Sequence, residues 1–403
     1  MYQPAEDSEL LAEVVKKKAF GRVLDMGTGS GIQAFTAAKV PSVRSITAVD
    51  INPGAVKQVS LEAKKGNLSK FKVIESDLFS NVEGQFETII FNPPYLPQDY
   101  LETIKGKKKA VEDLALYGGK KGYETIVRFL NQVSKYLARN GKILLLFSSL
   151  SGKEKIEETI EKNLLQFVQL KKSKQPMMET LYVYEITALP VRESLVSLGV
   201  SDINYLSKGA RGMVFKGKFD LNFNQKKFLA SKKIRDVAIK IRLESSKAPG
   251  TLTLEARNLR LVNKKGIGPK LYYEHKYFLI MELVEGIAFD KFLEEKGKKS
   301  EISKKAVIAL LHQAFLLDKM KLQKEEMHRP YSNVIVSEIN GQVKLTLLDF
   351  ERCRNSENPS NVTQVISYLM KSGFLDSKEG IKLAEEYKGS YSEEKFNAIF
   401  EYL

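Results

Sequence analysis

Residues 1–190 predict a doubly wound α/β domain, a parallel sheet covered by helices on both faces. Residues 191–403 predict a second domain of α+β pattern. Three observations lead there. A chain of 403 residues exceeds what one typical core organises. Its first half alternates strand-like and helix-like segments, which is the pattern of a parallel sheet. The residues suited to binding fall at the ends of those strands, where ligands of such sheets sit.

The elements follow in order. "RVLDM" (22–26) is a β-type run, followed by "GTGSG" and the helical "IQAFTAAKV". "SITAVD" (45–50) is the next strand, and Pro53 starts a helix through "GAVKQVSLEAKK". "FKVIESD" (71–77), "FETIIFN" (86–92) and "GKILLLFSS" (141–149) are further strands, the last preceded by a helix over "YETIVRFLNQVSKYL" (123–137). "FVQLKKSKQPMMETLYVYEI" (167–186) reads as a closing antiparallel pair, and "LPVRESLVSLGV" (189–200) as the join to the second domain.

Composition narrows the class. Apolar residues make up 43% and charged residues 28%, and no apolar run is long enough to span a bilayer. The acidic opening "MYQPAEDSEL" is no signal peptide, and the single cysteine, Cys353, excludes an internal disulfide. A cytoplasmic protein without membrane association is expected, and abundant Lys and Glu without Trp fit a heat-adapted source. The net charge of +15 is uneven: 27 Lys+Arg face 22 Asp+Glu in residues 1–190, and 37 face 27 in the remainder. The runs "KGKKK" (105–109) and "EEKGKKSEISKK" (294–305) could meet RNA or a ribosome-associated partner, although solvated faces are the plainer reading.

Four features carry chemistry in the first half. Asp25 precedes Gly27, Gly29 and Gly31, whose spacing exposes backbone amides at the start of a helix. Asp50 closes the next strand, where a carboxylate can accept both hydroxyls of a ribose. Asp77 follows "VIES", placed to face an adenine amine. Each acid alone would serve as an N-cap. Together they describe a pocket for an adenosyl group without phosphates, which suits S-adenosylmethionine. The fourth feature is Asn92-Pro93-Pro94-Tyr95, a stiff turn that holds an amide beside a phenol. The Asn92 side-chain oxygen and the Pro93 carbonyl can each accept from a planar NH2 group, and Tyr95 can lie against that plane. Such a site suits methylation of an amino group by proximity and orientation, without a strong base.

These residues resemble class I methyltransferases acting on planar nitrogens. "YQPAEDSELL" (2–11), "NPPYLP" (92–97) and "LYGGKKG" (116–122) narrow the resemblance to the archaeal and eukaryotic HemK-like branch, over about residues 1–188. It implies a Rossmann-like, seven-stranded sheet and methylation of the glutamine amide in the Gly-Gly-Gln loop of a translation release factor. It implies further that Glu6, Asp7 and Ser8 help close the cofactor pocket, and that a small zinc-binding activator protein is a partner. One departure is Tyr117, where the family often has Trp. The rival substrate is an adenine or guanine amine in RNA or DNA, because the same tetrapeptide serves both planar targets.

The second half carries a different set. "YLSKGARGMVFKGKF" (205–219) is a strand-turn-strand with Gly209, Gly212 and Gly217, and Ser207 stands where a first glycine is usual. Lys240 ends "VAIK", Glu255 lies in the helical "TLEARNLRLV", "YFLIMELVEG" reads as a strand entering a hinge, and Asp349 ends the strand "LTLLDF". In this order they constitute a phosphotransfer set. The half resembles the small atypical RIO and KEOPS-complex kinases of archaea, a bilobal fold, over about residues 195–403. That resemblance implies ATP with Mg2+, Lys240 on the phosphates paired with Glu255, and Asn333 and Asp349 on the metal. The slot of the usual catalytic Asp holds His328 instead, with Glu326 or Glu325 able to orient or replace it. A nucleotide-binding pseudokinase is the alternative. His275 and His312 read as ordinary structural residues.

Overall fold

The computed structural model describes residues 5–99, 116–209, 212–222, 233–242, 251–331 and 333–403. The basic run at 105–109, the first residues of the opening motif, and residues 210–211 of the second-half glycine turn lie outside them. The chain forms two compact units, Met1–Ser197 and Leu198–Leu403.

The first unit opens with α1 (Glu6–Lys18), whose first turn is acidic and whose last turn carries Lys16, Lys17 and Lys18, matching the helix dipole. There follow β1 (Gly21–Met26), α2 (Ile32–Ala38), β2 (Val43–Asp50), α3 (Pro53–Lys65), β3 (Phe71–Glu75) and β4 (Phe86–Phe91). Pro53 stands in the first turn of α3, and the Asn52 side chain caps it by accepting from Gly54 N at 2.9 Å. After the undescribed segment come α4 (Glu124–Val133), β5 (Leu137–Ser148), α5 (Lys153–Lys162), β6 (Leu165–Lys174), β7 (Thr180–Ala188) and α6 (Pro190–Ser197). The helix expected over 123–137 stops at Val133, because Tyr136 turns inward to stack on Phe79 at 4.3 Å and Leu137 opens β5.

The seven strands are ordered β3-β2-β1-β4-β5-β7-β6, with β1 to β5 parallel and β7 antiparallel to both neighbours. This is the Rossmann-like sheet expected. Alternate residues feed two cores on opposite faces: Leu24, Ile89 and Leu145 on one, Val23, Ile90 and Leu144 on the other. Met26 pairs with both Val49 and Phe91, so the carboxyl ends of β1, β2 and β4 finish level. The chain order reverses between β1 and β4, which places a crevice there. Helix α6 belongs to this unit through buried Val191 and Leu195 and through Arg192, which donates to Ser134 O at 3.0 Å.

The second unit begins with an antiparallel five-stranded sheet, order β11-β12-β10-β9-β8, from β8 (Ser201–Lys208), β9 (Gly212–Asp220), β10 (Ile234–Arg242), β11 (Leu271–His275) and β12 (Phe278–Glu282). Helix α7 (Thr251–Asn263) lies between β10 and β11 in sequence. After short β13 (Ile287–Ala288), helices α8 (Phe289–Lys296) and α9 (Glu301–Lys319) lead to β14 (Leu322–Gln323) and the hairpin of β15 (Val334–Ile339) and β16 (Gln342–Leu347). β17 (Arg354–Asn355) pairs with β14, and α10 (Asn361–Ser372), α11 (Ser377–Ser390) and α12 (Glu393–Asn397) complete the unit. Among the described residues no helix is long and apolar enough to cross a membrane.

Candidate functional site

The crevice of the first unit is built on backbone that only glycine adopts easily. Gly27, Gly29 and Gly31 have φ of 63°, 53° and 83°, and a Cβ on Gly31 would lie 2.6 Å from the Phe35 ring. Asp25, 1% exposed, holds the loop from beneath: its Oδ2 accepts from Thr28 Oγ1 at 2.6 Å and from Ala34 N at 3.1 Å. Burial pushes its carboxyl up to about 7, against those two hydrogen bonds. Asp50 accepts from Gly29 N at 2.8 Å and from Asn52 N at 2.9 Å, which ties the ends of β1 and β2 together.

The cavity above this loop is lined by Ser8, Gly29, Gln33, Asp50, Asp77 and Asn92, among others. Its acceptor-rich wall fits a ligand with ribose hydroxyls and an ammonium group. One observation supports that fit directly. Gln33 is 3% exposed and gives its Nε2 to Ser8 O at 2.8 Å, while its Oε1 is buried and unpartnered among the described residues. Gln33 was not singled out in the sequence; a polar residue amid the apolar "IQAFTAA" was its only signal. Asp77 lines the cavity but also pairs with Arg128 at 2.7 Å on the surface. Of the three residues expected to close the pocket, Ser8 lines it, Glu6 is exposed, and Asp7 is turned toward the Asn92 turn.

That turn follows β4. Asn92 donates from Nδ2 to Asp7 Oδ2 at 3.1 Å, and its Oδ1 is buried with no hydrogen-bond partner among the described residues. Tyr95 OH donates to the same Asp7 oxygen at 3.4 Å, and Tyr95 O accepts from Ser151 Oγ at 2.8 Å. The segment "LYGGKKG" braces the turn from below. Gly118 N donates to Leu96 O at 3.1 Å, and a Cβ on Gly118 would lie 2.4 Å from Gly122 O and 2.7 Å from Pro94 O. A Cβ on Gly122 would lie 2.5 Å from Tyr95 O. Tyr117 donates from its hydroxyl to Gln98 Oε1 at 3.1 Å.

The methyltransferase small domain family matches residues 5–107. A Methanocaldococcus jannaschii protein carrying the inferred name protein N5-glutamine methyltransferase is 41% identical over 162 residues, which cover 40% of this chain and 78% of that one. The chain belongs to that family. The release factor glutamine methyltransferase of Borreliella burgdorferi is 36% identical over 148 residues, 35% of this chain and 51% of its own. The chain thus spans about half the length of that bacterial relative. The Mtq2 complex of E. cuniculi, responsible for the methylation of the eRF1 translation termination factor, aligns at a TM-score of 0.36 and 22% identity, over 46% of this chain and 98% of that one.

The second unit of this methyltransferase family member holds a separate polar centre. Lys240 of β10 pairs with Glu255 of α7 at 2.6 Å, with Asp349 at 3.4 Å and with Glu351 at 3.7 Å. Burial opposes the Lys240 charge, but the carboxylates of Glu255, Asp349 and Glu351 outweigh it and raise its pKa. Asp349 sits at φ 57°, a conformation costly for a non-glycine residue. Two residues here went unassigned in the sequence. Lys324 is 3% exposed and donates to Asp349 O at 2.9 Å, and burial lowers its pKa. Glu351 joins Glu255 and Asp349 in a group whose oxygens lie within 4.8 Å of one another. Asn333, expected as a metal ligand, donates from Nδ2 to Glu326 Oε2 at 3.1 Å. His328 lines a surface cavity with Arg329, Tyr331 and Tyr368. Gly209 and Gly212 close their turn through Gly209 N to Gly212 O at 2.9 Å, and neither has a left-handed φ. Gly212 is required by packing instead, since its Cβ would lie 2.5 Å from Ile241 O.

Proposed function

We propose that the first unit transfers a methyl group from S-adenosylmethionine to the side-chain amide of a glutamine, with a translation release factor as the acceptor. The observation that carries this is the Oδ1 of Asn92, buried and without a partner among the described residues. A carboxylate can only accept, so Asp7 fixes the Asn92 nitrogen on its side and turns the oxygen the other way. A buried acceptor without a partner costs about 1–3 kcal/mol. A target NH2 group would supply the missing donor.

The glycine turn, Asp50 and Gln33 would hold the cofactor, which supplies an electrophilic methyl on its sulfonium. Asn92 Oδ1 and the Pro93 carbonyl each accept from the target NH2, which draws the nitrogen lone pair out of conjugation and orients it. Tyr95, fixed through its hydroxyl and its carbonyl, packs against the plane of the amide. On accepting that methyl the amide nitrogen would become acidic and would release one proton to water, leaving the amide neutral. The names of the relatives favour a glutamine over a nucleic-acid base. Family resemblance adds a small zinc-binding activator as a partner. The test is transfer of labelled methyl into a cell extract with and without nuclease. Label that survives nuclease and migrates with a release factor supports the reading, and label lost with nuclease replaces it by base methylation.

For the second unit we infer a nucleotide-binding, kinase-like site that uses ATP with Mg2+. The observation favouring it is the buried Lys240–Glu255 pair with Asp349 beside it, from three separated segments. Asp349 and Glu255 would carry the charge that a metal needs, and Lys240 would meet the phosphates. Purified chain should retain labelled ATP in the presence of Mg2+; absence of binding rejects the reading.

A further inference from the structure

We propose that Asp7 is the positioning residue that decides which way Asn92 presents its amide. This rests on the reading of Asn92 as the acceptor of the target NH2 group. The two ends of an asparagine side chain are nearly equal in shape, and only hydrogen-bond partners choose between them. Here the choice is forced by a residue 85 positions away in the chain, at 3.1 Å. Asp7 is 4% exposed, so its carboxylate has little water to turn to.

Its two oxygens are divided. Oδ1 accepts from Ser8 N at 2.7 Å and from Ser8 Oγ at 3.3 Å, while Oδ2 accepts from Asn92 Nδ2 and from Tyr95 OH. The first pair keeps the carboxylate from rotating, and the second pair aligns both the amide and the phenol of the turn. The start of α1 that carries Asp7 is itself anchored, since Gln33 of α2 donates to Ser8 O at 2.8 Å and Leu11 and Val15 are fully buried. With the amide reversed, a donor would face the donor of the target and the hydrogen bond would be lost. Asp7 therefore acts through Asn92. It does not line the cofactor cavity, unlike its neighbour Ser8.

Asp7→Asn is the informative change, because an amide at this position can donate or accept and leaves both orientations of Asn92 open. The full chain, with a purified release factor carrying a Gly-Gly-Gln loop as acceptor, should lose about 10- to 100-fold in kcat, the scale of a misoriented reacting group. S-adenosylmethionine affinity, by calorimetry, should stay within about twofold. In an Asn92→Ala background the same change should cost less than about twofold, because the group it orients is gone. Asp7→Glu, which restores a carboxylate, should recover part of the rate and covers the case in which Asp7→Asn folds poorly. A readout without turnover completes the test: in chain labelled with 15N-asparagine, the Asn92 Nδ2 protons should exchange slowly with the carboxylate in place and fast in Asp7→Asn. An equal loss in both backgrounds overturns the proposal, as does weakened cofactor binding with kcat intact, or unchanged exchange. If wild-type chain methylates no glutamine, the acceptor reading falls, and the exchange measurement still decides the role of Asp7.

Discussion

Asn92→Ala removes two groups with opposite effects on stability. The hydrogen bond from Nδ2 to the Asp7 carboxylate, at 3.1 Å, is of the charged kind that contributes about 1.5–3 kcal/mol. The Oδ1, without a partner among the described residues, costs about 1–3 kcal/mol while it stays buried, and alanine abolishes that cost. The two nearly cancel, so the melting midpoint of the full chain should move by no more than about 2–4 °C. Catalysis has no such compensation. Loss of one preorganised group at the reacting centre costs about 100- to 1,000-fold in turnover. The assay is methyl transfer from labelled S-adenosylmethionine to a purified release factor, with cofactor affinity and melting measured on the same preparation. A variant that binds cofactor, melts normally and turns over within about threefold of wild type would refute the reasoning.

Three other outcomes follow from the structure. Gly118→Ala sets a Cβ 2.4 Å from Gly122 O and 2.8 Å from Tyr95 Cα, so backbone must move; unfolding in denaturant should show about 1–3 kcal/mol lost, with a fall in turnover. Burial holds the Asp25 carboxyl near 7, above its unfolded value, so the folded state binds the extra proton. The stability this adds is present at about pH 4 and lost as pH rises through about 7, and Asp25→Asn should flatten that part of the melting-against-pH curve. In the second unit, Lys240→Met leaves Glu255, Asp349 and Glu351 without their shared cation and should weaken Mg-ATP binding by at least about tenfold in a filter assay.

Much of the fold was legible because local rules and tertiary demands agree. The strand end at Asp50, the proline that opens α3 and the glycine turn after β1 follow from residue type and spacing alone. The site was legible as a set of strand ends but not as a network. Asp7 and Asn92 meet only because α1 packs back across the sheet, and no local pattern announces a contact over 85 positions. Gln33 and Lys324 were missed for the same reason, since each is a polar side chain whose partner is a distant backbone carbonyl. The end of α4 was misread because helical periodicity continues through Tyr136, whereas stacking on Phe79 decides the conformation. In the second half the spacing pointed to His328 with Glu326 or Glu325 beside it, and the hydrogen bond from Asn333 to Glu326 is a contact that spacing does not announce.

The most direct measurement of the central claim is the location of the transferred methyl group. A purified release factor would be incubated with the full chain and S-adenosylmethionine, digested, and its peptides sequenced by mass spectrometry. The account predicts one methyl on the side-chain nitrogen of the glutamine in the Gly-Gly-Gln loop, absent when Asn92→Ala replaces the wild type. A methyl group on any other residue, or on a base of nucleic acid added in competition, would contradict it.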